Sequence, residues 1–399
     1  LAERIVFRAD LMHMASAVDE AIAELTLPAM PWALQDAIER AHLDDGEPMY
    51  IDLADYTDFP YLEPYLEDAN DLYALNALTE KLAALEPWQM DALEGLVPME
   101  KEKHEPFGLP RIYDLAASAG ECQVLYEATS DETLGRFYVD NGFIPSMTEL
   151  PESIYEVLDY RKIGEEMRQG EGGVFLRYGS GYVTQVGELK EEYKTLDLTP
   201  KEPEYSVLLE VAVPDMDRRE LVRLPCGKEE LSAVPERLGV TGWHELSWRC
   251  ADCRIPALRD AFSTTDNIAF IHLAARQLAE IPKERIKGVK AILEAVQFRD
   301  LNEAVALLDR AGEYIFTPKF DTPAAVARRE LVFMLGEEDA ALAFPYVNLS
   351  GYGQKLMEAH NQVMTAYGVV ERADNQPVRT APEQQGEQRQ EAWGGMEMI

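Results

Sequence analysis

Between Asp52 and Val97 the chain sets ten or more carboxylates against one base, Lys81. Asp52, Asp55, Asp58, Glu63, Glu67, Asp68 and Asp71 come first with no Lys or Arg among them, and Asp44, Asp45 and Glu47 lie just upstream. Carboxylates at this density can exchange protons, hold a cation, or present negative charge to a positive partner. Proton exchange needs two groups in different environments, and no such pair stands out from the rest. Asp44-Asp45-Gly46-Glu47 lacks the alternating oxygen ligands and the closing Glu of a calcium loop. Presentation of charge is the chemistry this stretch suits.

The other reactive side chains form no catalytic set. Cys250-Ala251-Asp252-Cys253 has the spacing of a redox or zinc pair, but no second pair accompanies it. Cys226 and His244 stand at an unusual spacing for a zinc site, so buried free thiols are expected and no metal. The histidines form no HExxH, and His272 reads as a helix-surface residue. Gly179-Ser180-Gly181 and Gly351-Tyr352-Gly353 lack the helix and the Lys-Ser/Thr of a phosphate loop. No serine elbow is present. Tyr56, Tyr61, Tyr65, Tyr73 and Trp88 have no cations beside them and read as core and ridge aromatics, not as a base-stacking platform. The expectation is a protein without catalytic residues and without a cofactor.

Bulk composition points the same way. At 399 residues and 47% hydrophobic content, the chain can build two to three ordinary cores. Its formal charge of −36 opposes direct nucleic-acid binding, which needs Lys and Arg on phosphates. The charge is uneven: residues 1–200 carry a net −27, residues 201–399 carry −9, and the first hundred alone carry −18. Adaptation to salt would acidify both halves alike. No apolar run reaches the ~18 residues of a membrane span. Four cysteines suit a reducing cytoplasm. The chain opens at Leu1 without a signal-peptide layout, and the natural N-terminus is expected upstream.

Stepping through the spacing, residues 20–28 read as a strand ending at Leu27-Pro28, followed by a helix over 32–42 and a strand over 49–53. Leu72, Leu75, Leu78, Leu82 and Leu85 recur at helical spacing, and Pro87 opens a second helix that reaches Val97. Residues 98–109 read as a polar loop. Helices are expected over 110–118, over 131–140 with Ser130 as cap, and over 152–167. A hairpin is expected over 172–186. The same order then returns. Leu224-Pro225, Leu231, Glu236 and Arg237 match Leu27-Pro28, Leu34, Glu39 and Arg40 at an offset of 197. Ile268, Ile271, Leu278 and Ile281 match Leu72, Leu75, Leu82 and Leu85 at 196. Ala311-Gly312-Glu313 copies Ala119-Gly120-Glu121, and Gly353 falls where Gly164 stands. A slowly shrinking offset is what duplication with small deletions produces. The expected domains are an N-terminal extension (1–19), an acidic unit (20–187), a linker (188–202), a second unit (203–371) and a disordered tail (372–399).

These residues resemble the ArdA-type antirestriction proteins of conjugative elements and phages. The similarity lies in the acidic first part, the Leu75-Asn76-Ala77-Leu78 helix, the Asp131-Glu132-x-Leu134-Gly135 helix start and the Leu158-Asp159-Tyr160-x-x-Ile163-Gly164 segment with its Gly-rich strand pair. Leu349-x-x-Tyr352-Gly353 and Tyr367-Gly368-Val369-Val370 look like the same ending again. The resemblance implies an α+β fold, an elongated tandem of small α/β modules and helical bundles, internally duplicated. It also implies a homodimer that inhibits type I restriction-modification enzymes by occupying their DNA groove. The doubled length departs from a single-unit member, so the second unit could take the partner's place. The magnitude is compatible: B-DNA carries one charge per about 1.7 Å, so −18 matches roughly 30 Å of duplex. The alternative reading is an acidic protein that inhibits another basic defence protein, such as a CRISPR effector.

Overall fold

The computed structural model describes residues 4–13, 22–43, 48–101, 103, 106–147, 150–262, 267–318, 320 and 322–379. It is an α+β fold whose chain divides into two compact units. Unit 1 comprises 1–10, 24–29 and 51–201, and unit 2 comprises 11–23, 30–50 and 202–399.

In chain order the first elements are β1 (Phe7–His13), β2 (Ala23–Leu27), α1 (Pro31–Arg40), β3 (Met49–Asp55), α2 (Glu63–Leu66), α3 (Leu72–Ala83), α4 (Pro87–Lys101), α5 (Leu109–Ala117), β4 (Cys122–Leu125), α6 (Asp131–Asp140), α7 (Glu152–Tyr155), α8 (Tyr160–Glu171), β5 (Val174–Phe175) and β6 (Tyr182–Gln185). They form two sheets, ordered β2-β1-β3 and β4-β6-β5. The later elements are β7 (Val207–Ala212), β8 (Arg219–Leu224), α9 (Lys228–Arg237), β9 (Ser247–Cys253), α10 (Ile268–Glu280), α11 (Lys283–Val296), α12 (Leu301–Asp309), β10 (Tyr314–Pro318), α13 (Pro323–Leu335), α14 (Glu337–Ala343), α15 (Leu349–Ala359), β11 (Val363–Thr365) and β12 (Gly368–Arg372). Their sheets are ordered β8-β7-β9 and β10-β12-β11, so each place in the first pair of sheets has a counterpart in the second. Among the described residues Leu27-Pro28 and Leu224-Pro225 are cis peptide bonds, 197 residues apart.

Local chemistry accounts for the helix boundaries. Asp71 caps α3, its Oδ1 accepting from the Tyr73 and Ala74 amides, and Leu72, Leu75, Leu78 and Leu82 are buried completely. Such an aspartate cap is worth about 1 kcal/mol. Ser130 and Thr133 form a reciprocal capping box at α6. The helix expected over 152–167 is two helices, because Asp159 accepts from the Lys162 amide and starts α8 afresh. Residues 98–101 continue α4 and are not loop.

Close helix crossings recur in both units. A Cβ on Gly164 would strike the Asp131 carbonyl, and one on Gly135 would strike the Tyr160 carbonyl, so α6 and α8 cross backbone to backbone. In unit 2 a Cβ on Gly353 would strike the Pro323 carbonyl where α15 crosses α13. Beside the first crossing, Tyr138 and Tyr182 fill the space and both donate to Glu171. The matching space in unit 2, lined by Thr317, Glu330, His360 and Val369 among others, is a hollow of about 420 Å³.

Three expected boundaries differ. Within the expected N-terminal extension, residues 7–13 belong to the fold: β1 is the middle strand of its sheet, with Phe7, Ala9 and Leu11 buried in alternation, while residues 1–3 and 14–19 lie outside the described residues. The segment read as a linker is pinned to unit 1. The Lys190 amide donates to Ser118, the Tyr193 amide donates to Asp114, and Glu192 pairs with Lys81 at 2.9 Å. The tail is packed through residue 379, since Val378 is buried and Arg379 Nε donates to the Ala295 carbonyl. The rest of the expected disorder, residues 380–399, lies outside the described residues.

Candidate partner-binding surface

Asp52, Asp55, Asp58, Glu63, Glu67, Asp68 and Asp71 are all exposed in unit 1, while Asp44, Asp45 and Glu47 lie outside the described residues. Asp52 is on β3, and it lies close enough to Asp10 on β1 to act on it electrostatically, as does Glu24 on β2. The strand order β2-β1-β3 therefore sets Glu24, Asp10 and Asp52 side by side across one sheet. Burial first, then the charges of Glu24 and Asp52, push the Asp10 carboxyl above the usual aspartate value.

The cluster continues around Tyr56. Burial, followed by the charges of Glu63, Glu67 and Asp52, pushes the Tyr56 phenol up to about 12, so all three carboxylates are near enough to act on it. The Ile51 amide donates to Asn70 Oδ1 at 3.2 Å and ties the segment bearing Glu67, Asp68 and Asp71 to β3.

Not all seven are uncompensated. Asp58 pairs with Arg4 at 2.7 Å and Asp55 lies 3.7 Å from Arg8, so arginines of the N-terminal segment neutralise part of the field. Asp71 also serves as a helix cap, a structural role. Asp52, Glu63, Glu67, Asp68 and Asp71 have no ion pair among the described residues. Two charges 8 Å apart in water repel by roughly 0.5 kcal/mol, and physiological salt screens most of that. A packed core sustains such repulsion, and an incoming cation relieves it.

Sequence reasoning missed Asp10 and Glu24. The signal was the alternation of Phe7, Ala9 and Leu11 with Arg8 and Asp10, which marks a half-buried strand.

The remaining candidates are structural. A register shift between Leu208 and Leu209 opposes Asp252 to Leu208 and Cys250 to Leu209, leaving Ala251 as the extra residue of a bulge. That extra residue turns Cys250 and Cys253, which a regular strand would place on opposite faces, into the same apolar core. Burial drives the Cys253 thiol well up, and both cysteines are free. No group of His, Cys, Asp and Glu able to hold a metal occurs among the described residues. Asp252 points the other way, accepting from Tyr205 at 2.8 Å and from the Trp32 amide at 3.2 Å, and burial pushes its carboxyl up to about 6. His272 is not a plain surface residue, because its Nε2 lies 2.9 Å from the Cys226 carbonyl. Tyr56 and Tyr61 are buried, whereas Trp88 is exposed. No helix among the described residues is long and apolar enough to cross a membrane. Comparison with protein-family models and with curated proteins gave no match, so the reading of this surface rests on its charge and geometry.

Proposed function

We propose that unit 1 is a DNA mimic: its carboxylate field occupies the DNA-binding groove of a defence enzyme, with a type I restriction-modification enzyme as the target, in the cytoplasm of a host cell. One observation carries this reading. Asp52, Glu63 and Glu67 are exposed and all act on Tyr56, Asp52 and Glu24 act on Asp10, and the first three have no ion-pair partner among the described residues. Carboxylates fixed on a folded core offer a cationic groove the charge of a phosphate backbone without a bond to cleave or a base to methylate. The reading requires no catalytic residue, metal or cofactor from this chain, and no direct contact with nucleic acid. The oligomeric form expected from the resemblance, a homodimer, belongs to the same proposal, as does duplication as the origin of the repeated element order.

The test is inhibition of a purified type I enzyme by the full chain and by a variant with Asp52→Lys, Glu63→Lys, Glu67→Lys and Asp68→Lys. Loss of inhibition with an unchanged circular dichroism spectrum supports the proposal. Undiminished inhibition by that variant rejects it.

A further inference from the structure

Helix α1 is buried on more than one side: Trp32, Leu34, Asp36, Ala37 and Glu39 are all buried. Within unit 2 it packs on β9, and side chains of α11 and of the turn between β11 and β12 close over its acidic residues. Lys290 Nζ, with its side chain 2% exposed, sits 2.7 Å from Asp36 Oδ1 and 2.8 Å from Glu39 Oε2. The Tyr367 hydroxyl, in that turn, donates to Asp36 at 2.9 Å. Unit 2 thus contains a helix-receiving groove with its helix in place.

Unit 1 contains the counterpart of that groove, with no helix in it among the described residues. Helix α4 packs on β4, β5 and β6 as α11 packs on β10, β11 and β12. The helices begin at Pro87 and Lys283, an offset that brings Glu94 to the place of Lys290. Val174 pairs with Val183 as Val363 pairs with Val370, and although the connection is two residues longer in unit 1, Tyr178 follows Val174 by four residues as Tyr367 follows Val363. Tyr367 is 4% exposed, whereas Tyr178 is fully exposed. Beside it is a hollow of about 240 Å³ lined by Tyr61, Tyr65, Glu94, Phe175 and Arg177 with their neighbours. The Tyr61 hydroxyl is buried and lacks a hydrogen-bond partner among the described residues, although its residue is only 7% exposed.

We propose that this groove of unit 1 docks an amphipathic helix of a partner protein, one that carries Lys or Arg where α1 carries Asp36 and Glu39. The charge on the groove floor decides the occupant. Lys290 draws an acidic helix into unit 2. Glu94, with Asp91 one turn earlier, draws a basic one into unit 1. A second copy offers α9 as the counterpart of α1, but α9 would bring Glu236 to the place of Glu39 and set it against Glu94. The aromatic walls supply apolar contact for the helix, and the Tyr61 hydroxyl gains a polar partner from it. Arg177 stays on the rim, where its guanidinium lies 5.9 Å from the Tyr61 ring centre and its amide holds one Glu94 oxygen at 3.2 Å. This recognition of a folded helix goes beyond phosphate mimicry and stands whether or not DNA competes.

The probes are two fluorescent peptides spanning residues 29–43, one native and one with Asp36→Lys and Glu39→Lys, titrated into the full-length protein. The groove of unit 2 holds its own helix, so the groove of unit 1 is the one open to them. The lysine peptide binds at least about tenfold more tightly than the native one. Glu94→Lys reverses that order. Tyr178→Ala, a change at a fully exposed side chain, weakens the lysine peptide and leaves thermal unfolding unchanged. Absence of binding by both peptides, equal binding, or a preference that survives Glu94→Lys overturns the proposal. So does self-association that Tyr178→Ala abolishes, which assigns the groove to a second copy. Loss of DNA competition with the peptide result intact removes the mimic reading alone.

Discussion

The two first sheets of the units share a strand order and differ in what faces outward. In unit 1 the middle strand carries Asp10 with Glu24 and Asp52 beside it. In unit 2 the middle strand carries Glu210, and Arg219 on β8 and Arg249 on β9 both pair with it. Arg249 stands at the place of Asp52, 197 residues on. The grooves invert in the same way, Glu94 against Lys290. What persists between the units is backbone placement: strand order, capped helix starts and glycine crossings. What changes is the sign of the surface. An acid with acidic neighbours is available to a partner, whereas an acid between arginines is consumed within its own sheet.

The largest effect expected from breaking this comparison is at Lys290. Lys290→Met strands two buried carboxylates and costs about 3–5 kcal/mol in urea unfolding, and adding Asp36→Asn with Glu39→Gln recovers most of the loss. Glu94→Gln, at the matching place, changes unfolding by about 1 kcal/mol or less, because one hydrogen bond to the Arg177 amide is weakened. Next come the crossings. Gly164→Ala and Gly353→Ala each force helix backbones apart and destabilise by about 1–3 kcal/mol, similarly in the two units.

Acid titration sharpens the contrast, because the two sheet carboxylates shift in opposite directions. The Asp10 value is raised, so its contribution is full below the ordinary aspartate value and is lost as pH rises through its folded value. Burial alone would raise Glu210, but the Arg249 hydrogen bond and charge hold it below the usual glutamate value. Its contribution is present above that value and is lost as pH falls through the folded one. Asp10→Asn therefore raises the unfolding midpoint at neutral pH and has no effect in strong acid. Glu210→Gln lowers the midpoint at neutral pH, and the difference from the parent shrinks in acid. Unfolding midpoints of parent and variants between pH 2 and 7 check both signs. The smallest stability change is at the field itself. Reversing Asp52, Glu63 and Glu67 alters unfolding within about 0.5 kcal/mol, since exposed substitutions remove no packing.

The interior of this fold was legible in the sequence because period and capping are local properties. The Leu72–Leu82 spacing and Ser130 announced their structural roles, whereas Gly164 stood out only as a repeated position and its helix crossing did not. The field was legible as composition, and Asp52, Glu63 and Glu67 are near enough to Tyr56 to act on it together. Its pairing was not legible, because Arg4 and Arg8 meet Asp58 and Asp55 only through a sheet that joins residues 50 positions apart or nearly so. The place of α1 was equally hidden. Nothing near Asp36 and Glu39 in the chain indicates that Lys290 receives them. Cys250 and Cys253 were expected as buried free thiols, but the bulge at Ala251 that turns both into the core was not legible.

The central claim is that unit 1 takes the place of duplex DNA in another protein's groove, and competition tests it most directly. The apparent dissociation constant of the protein for a type I restriction-modification enzyme is measured against rising concentrations of a duplex carrying the enzyme's recognition site. The account predicts that it climbs in proportion to the duplex and weakens steeply with salt. A constant indifferent to added duplex would contradict it.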